Sequence, residues 1–155
     1  GIREKKSGGR RKMTFKELNS ADAKDFFEFQ KDNFIDFWSE NQVRSSFDNP
    51  NFHCIACLIE KKTVCAVCYT EVLDECEIEL VLTDSRLRRK GHGDSVLKSV
   101  INSLKKNGIK TVFLEVRKGN ESAKRLYLKN GFAVYGERKK YYKDGEDAVL
   151  MRLSL

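Results

Sequence analysis

Arg88-Arg89-Lys90-Gly91-His92-Gly93 stands between a strand-like run, Ile78 to Thr83, and a run in which Val96, Leu97, Val100, Ile101 and Leu104 recur at helical spacing. A helix that opens at this point presents backbone N–H groups without intrahelical partners, and its dipole favours an anion there. The glycines at 91 and 93 let the main chain approach a pyrophosphate, and the three preceding cations attract several phosphates. A Walker loop would need Lys-Ser/Thr after the glycine, whereas Asp94-Ser95 follows Gly93. A dinucleotide fingerprint would need a third glycine where Val96 stands. Taken alone, two glycines at a helix start also fit a plain tight turn.

Outward from this loop the pattern stays alternating. Asn107-Gly108 stops the helix, and Ile109 to Val116 reads as a strand. Asn120 caps a further helix carrying Ala123, Leu126 and Tyr127, which ends at Asn130-Gly131. Two last strands, 132–138 and 146–153, flank the polar turn Asp144-Gly145. Strand, helix and strand between 78 and 116 predict a right-handed crossover joining parallel strands. Upstream, Met13 to Leu18 reads as a strand, and Ser20 is a candidate cap for a helix through Phe26, Phe27 and Phe29 to Asp32. A second helix is expected from Ser39 to Phe47, before Pro50, and 52–60 with 63–72 read as a hairpin tipped by Lys61-Lys62. The expectation is an α/β (mixed α+β) fold: one domain over residues 13–155, with a mixed central sheet of about seven strands and helices on both faces.

At 155 residues and 40% hydrophobic content the chain can bury a core of this size. No apolar run reaches the roughly 20 residues that a bilayer span needs, and the first residues lack the apolar stretch of a secretory signal. The expectation is a cytoplasmic protein without a membrane partner. The net charge of +7 is concentrated in residues 1–12, where Arg3, Lys5, Lys6, Arg10, Arg11 and Lys12 oppose Glu4 alone, contributing +5. That stretch reads as a flexible basic arm, or a remnant ahead of Met13, with contact to ribosomal RNA as a sharper alternative. The near balance elsewhere argues against direct nucleic-acid binding.

Cys54-x-x-Cys57 and Cys65-x-x-Cys68 have the spacing of a four-cysteine zinc site. The intervening pairs, Ile55-Ala56 and Ala66-Val67, suit extended strands rather than zinc knuckles. Residues three apart on a strand point to opposite faces. With a loop at Lys61-Lys62, Cys57 and Cys68 would share one face and Cys54 and Cys65 the other, so four thiolates would not converge. The expectation is buried free thiols and no metal. Cys76 makes the total odd, consistent with a reducing compartment.

Arg88-x-x-Gly91-x-Gly93, followed in order by Leu114-Glu115-Val116-Arg117, Asn120, Leu126-Tyr127 and Asn130-Gly131-Phe132, resembles the cofactor half of the GNAT acetyltransferase superfamily. Arg138-Lys139-Lys140-Tyr141-Tyr142 and the segment Gly145 to Met151 resemble the C-terminal hairpin of the bacterial ribosomal-protein-alanine N-acetyltransferases and related N-terminal acetyltransferases. The resemblance implies acetyl-CoA as co-substrate, held by backbone groups of Arg88, Arg89, Lys90, Gly91, His92 and Gly93, by the strand edge at Val81-Leu82, and by Asn120. For Asn120, a plain helix cap is the alternative. It further implies Glu115 as general base and Tyr127 as general acid.

On the acceptor side, Tyr141 and Tyr142 resemble the tyrosine pair that clamps an acceptor peptide, and Trp38-Ser39-Glu40 matches the tryptophan loop that borders it. Phe37 replaces the family's proline there, and Leu80 and Leu82 stand where relatives commonly carry smaller or polar residues. The implied reaction is acetylation of a protein N-terminus, with a ribosomal protein as one acceptor, by a monomer or weak dimer. Acetylation of lysine side chains or a small amine stays open, as does a non-enzymatic RNA-binding module using the basic arm.

Overall fold

The strands form one eight-stranded sheet, with helices over both of its faces. Glu75–Thr83 and Thr111–Arg117 alternate buried with more exposed residues, whereas central Lys62–Val72 buries six residues in a row. The computed structural model describes residues 2–7 and 11–155. In chain order the elements are β1 (Ile2–Ser7), β2 (Arg11–Glu17), a 3-10 turn (Ser20–Asp22), α1 (Ala23–Asn33), α2 (Glu40–Asp48), β3 (Phe52–Ile59), β4 (Lys62–Val72) and β5 (Glu75–Thr83). A second 3-10 turn (Ser85–Leu87) leads to α3 (His92–Lys106), β6 (Thr111–Arg117), α4 (Glu121–Lys129), β7 (Ala133–Arg138) and β8 (Ala148–Ser154). The spatial order is β1-β2-β3-β4-β5-β6-β8-β7. Among the described residues only β5 and β6 run parallel, joined by the α3 crossover that the sequence pattern predicted.

The expected flexible arm covers residues 1–12. Of these, residues 1 and 8–10, with the Gly8-Gly9 pair, lie outside the described residues. Ile2–Ser7 forms the edge strand, antiparallel to β2 from Ile2 opposite Lys16 to Ser7 opposite Arg11, and supplies the eighth strand. Helix α1 also begins differently from the sequence reading. Asn19, not Ser20, caps the entry: its side chain accepts from the Ala21 N–H, and Asp22 accepts from the Asn19 N–H. Ser39, near which α2 was expected to start, caps it, accepting from the Gln42 N–H at 3.1 Å while the Gln42 side chain accepts from the Ser39 N–H.

The core divides by sheet face. On the α3 and α4 side Leu97, Leu104, Val112 and Met151 are fully buried; on the α1 and α2 side Phe26, Val43, Cys54 and Ala66 are. Truncating a leucine such as Leu104 to alanine in such packing costs about 2–5 kcal/mol. The hairpin turn is at Glu60-Lys61, where both residues adopt positive φ (52° and 68°), so Ile59 pairs with Lys62. The bulge after Cys57, not the turn, corrects the expected sharing of faces. Cys54 lies opposite Cys68 on the α1/α2 face, and Cys57 opposite Cys65 on the α3 face. The four thiols therefore divide two and two between separate core clusters. Burial raises the Cys57 thiol to about 12 and Cys65 to about 11, so both act as small apolar residues. Among the described residues no helix is long and apolar enough to cross a membrane.

Candidate active site

The site begins where two strands part. β5 and β6 pair only from Glu75–Thr111 to Ile78–Leu114; beyond that β5 follows β4 to Thr83, while β6 follows β8 to Arg117. A bulge at Glu79, which leaves Leu80 opposite Cys68 and Ile78 opposite Tyr69, bends β5 out of the parallel ladder. The bulge also switches faces. Cys76 and Ile78 pack on the α3 side, whereas Leu80 and Leu82 pack on the α1/α2 side. Each parting strand keeps an edge of main-chain donors and acceptors facing the gap.

A cavity of about 1170 Å³ occupies this gap. It brings together eight residues singled out from the sequence: Trp38, Val81, Arg88, Glu115, Asn120, Tyr127, Tyr141 and Tyr142. Leu80 also lines it, from the α1/α2 face; Leu82 is not among its lining residues, and its side chain packs in the core beneath α1 and α2. Arg89, Lys90, Gly91, His92 and Gly93 lie beside the cavity, on the loop and first turn of α3. Lys90 and His92 instead line a neighbouring cavity of about 790 Å³ with Phe29, Asp84 and Leu87.

The loop has the features of an anion cradle. Arg89 and Gly91 take positive φ (66° and 81°), which turns the chain sharply into α3. Among the described residues, none of the backbone N–H groups from Arg89 to Asp94 donates to a protein acceptor; the first helical bond runs from the Ser95 N–H to the Gly91 carbonyl. Asp94, in this first turn, is compensated by Lys98 at 2.7 Å and the Asn130 amide at 2.9 Å, which also tie α3 to α4. Burial, then Lys90, lowers the His92 pKa and favours its neutral form.

Tyr127 extends from α4, with its ring 5.8 Å from Phe132. Burial raises its pKa well above the ordinary phenol, so it holds its proton at neutral pH. Glu115 comes from β6 on the cavity side, 3.5 Å from the exposed Arg138. The Glu115 carboxylate beside the Tyr141 hydroxyl raises the tyrosine pKa, and Arg138 sits 5.5 Å over the Tyr141 ring. Tyr141 and Tyr142 meet edge to face at 5.1 Å, and burial lifts Tyr142 to about 12. Asn120 caps α4: its side-chain oxygen accepts from the Ala123 N–H at 3.1 Å, so only the amide –NH2 is free of the cap. A proton donor and a carboxylate thus share one cavity beside a rigid aromatic wall.

Several contributors escaped the sequence reading. Gln30, fully buried in α1, bonds to both main-chain groups of Trp38. Asp36 and Glu146 both bond to Arg117. Glu77 joins Glu115 at the cavity, its pKa raised by burial and then by Glu115. The only signal for Gln30 was a polar residue on the apolar stripe of α1; Asp36 and Glu146 carried none, because their partner is 81 and 29 residues away.

The sequence pattern of the acetyltransferase (GNAT) family matches residues 21–132, a stretch that contains the parting strands, the anion loop and Tyr127. The chain belongs to the GNAT family. This GNAT chain is 39% identical over 94 residues to the ribosomal protein bS18-alanine N-acetyltransferase of Haemophilus ducreyi, an alignment covering 58% of the chain and 64% of that relative. The alignment thus spans less than two thirds of the curated relative it matches. The crystal structure of the ribosomal-protein-S18-alanine N-acetyltransferase from Escherichia coli superimposes with a TM-score of 0.86 at 29% identity, covering 92% of this chain and 93% of that one. A ribosomal-protein-alanine N-acetyltransferase from Brucella melitensis shares the GNAT fold at 19% identity, with a TM-score of 0.78 over 91% of this chain and 99% of that one.

Proposed function

We propose that this GNAT chain moves the acetyl group of acetyl-CoA to the α-amine at the N-terminus of a protein, with a ribosomal protein as acceptor and the cytoplasm as the place of action. Residues 13–155 form the catalytic unit in this reading. The observation that carries it is the meeting of Glu115, Tyr127 and the Tyr141–Tyr142 pair in one cavity between the parted strands.

The residues present suit acetyl-CoA. The N–H groups from Arg89 to Asp94 offer an array for a pyrophosphate, with Arg88 at the cavity and Lys90 beside it. The edge of β5 at Val81 offers main-chain partners for the amides of a pantetheine arm, and the amide –NH2 of Asn120 a further donor. For Leu82 only the main chain can take part. Acetyl-CoA supplies an activated thioester carbonyl.

The protein's own groups do the proton work. An α-amine titrates near pH 7.7–8.0, so Glu115 need accept a proton from only a partly charged nucleophile, directly or through one water. Tyr127 keeps its proton at working pH and gives it to the departing thiolate. Tyr141 and Tyr142, with Trp38 opposite, hold the acceptor backbone, and positioning supplies much of the acceleration. Phe37, about half exposed beside Trp38, adds bulk at this wall and bears on which first residue is accepted.

The test is thiol release from acetyl-CoA against short peptides that differ in their first residue, with N-terminally blocked, lysine-bearing controls. Turnover confined to free N-termini is expected. Turnover only on lysine or small amines would overturn the acceptor assignment and leave acetyl transfer standing.

A further inference from the structure

We infer that Arg117 is a positioning residue that fastens both acceptor-side walls of the cavity, the segment between α1 and α2 and the loop between β7 and β8, to the end of β6. The inference rests on the acceptor reading proposed above. Arg117 closes β6, where the strand has left β5 and holds only to β8. Its Nε and Nη2 donate to the two carboxylate oxygens of Asp36 at 2.9 and 2.7 Å. Its Nη1 donates to Asp144 at 2.8 Å and to Glu146 at 2.9 Å. The guanidinium carbon sits 4.2 Å from the centroid of the Tyr142 ring.

One side chain, 16% exposed, therefore engages three carboxylates and one aromatic face. The planar fork of arginine allows this; a lysine ammonium is a point charge and cannot hold Asp36 bidentately while reaching the other loop. Asp36 lies two residues before Trp38, and Asp144 two residues after Tyr142, so the network sets the distance between the two aromatic walls. Glu146 extends it. Its second oxygen accepts from the Gly119 N–H at 2.8 Å, and a Cβ at Gly119 would come within 2.6 Å of that oxygen. The turn after β6 is thus shaped around the same carboxylate. These ion pairs join three separated segments in partly desolvated geometry, unlike an isolated surface pair, which contributes little.

The experiment compares Arg117→Gln, Arg117→Lys and Asp36→Asn with the wild type. Asp36 is in an exposed connection, so its variant tests the network even if Arg117→Gln folds poorly. Acceptor-peptide KM is expected to rise at least about tenfold in each, by more than kcat falls, because a misplaced wall costs binding and alignment. Acetyl-CoA affinity should stay within about twofold. Amide hydrogen exchange should quicken in both 34–39 and 140–147 in Arg117→Gln, with Arg117→Lys intermediate. Exchange unchanged in either segment, or a fall in kcat at unchanged acceptor KM, would overturn the inference. If the wild type acetylates no peptide, the acceptor reading falls, and the exchange comparison still decides whether Arg117 couples the two walls.

Discussion

The amide of Gln30 donates to the Trp38 carbonyl and accepts from the Trp38 N–H, both at 2.7 Å, from a fully buried position in α1. A helix interior thereby fixes a loop residue through its main chain, leaving the indole ring free to face Phe52 at 6.2 Å and the cavity. Gln30→Leu keeps the volume and removes both bonds. It should destabilise the fold by about 1–3 kcal/mol, the cost of leaving buried main-chain groups unpaired, and raise acceptor KM. Urea unfolding and peptide kinetics check this; wild-type stability would show that water replaces the amide.

Glu115→Gln and Tyr127→Phe separate chemistry from binding. Each should lower kcat about 10²-fold or more, the usual contribution of a positioned acid or base. Acetyl-CoA affinity, measured by calorimetry, should be retained. Full turnover in both variants would show that neither group carries the proton.

The two glycines of the loop should respond differently. Gly91 has φ 81°, so Gly91→Ala forces an L residue into a left-handed conformation and should lower thermal stability by about 1–2 kcal/mol. At Gly93 an added Cβ would meet Thr83 at 3.5 Å and Leu126 at 3.7 Å, ordinary contacts that leave the fold intact. Gly93→Ala is therefore expected to keep its melting temperature while weakening acetyl-CoA binding, since the methyl would stand in the phosphate approach. Unaltered cofactor affinity in Gly93→Ala would place the phosphates elsewhere.

Alkaline pH should destabilise the protein. Burial lifts Cys57 and Cys76 to about 12 and Cys65 to about 11. In the unfolded chain a thiol ionises near pH 8.5, so above that the unfolded state binds fewer protons than the folded one. The stabilisation is complete below about pH 8.5 and is lost as pH climbs toward the folded values. Melting temperatures should hold level from pH 7.5 to about 8.5 and fall from there to pH 10.5; a profile flat throughout would contradict it. Tyr127, raised in the same sense, imposes no loss of activity below about pH 10, so kcat/KM should rise from pH 6.5 to 8.5 as the acceptor amine deprotonates.

Much of the local structure from Ile78 onward was legible because its signals are local. The glycine pair at a helix start, the asparagine ahead of α4 and the spacing of α3 each act over a few residues, where propensity and capping decide conformation. The cysteines show the limit of such reasoning. Opposite faces followed from the strand period alone, but the partners depended on the bulge after Cys57. Moving the turn from Lys61-Lys62 to Glu60-Lys61 shifts each pair by two residues and keeps the faces, whereas the bulge adds the single residue that exchanges them. The bulge at Glu79 changes which side chains face the cavity, and no composition rule marks it.

By itself the sequence determined the order of elements from Met13 onward, the parallel crossover and the glycine turn that opens α3, because hydrophobic period and capping are properties of neighbouring residues. Tertiary structure alone decided that β5 and β6 part after Ile78 and Leu114, that Gln30 holds Trp38, and that Arg117 gathers Asp36, Asp144 and Glu146. Those contacts join residues from 8 to 81 positions apart. Their geometry is set by sheet register and by the pairing of charges in a partly desolvated cleft, which no local window of sequence contains.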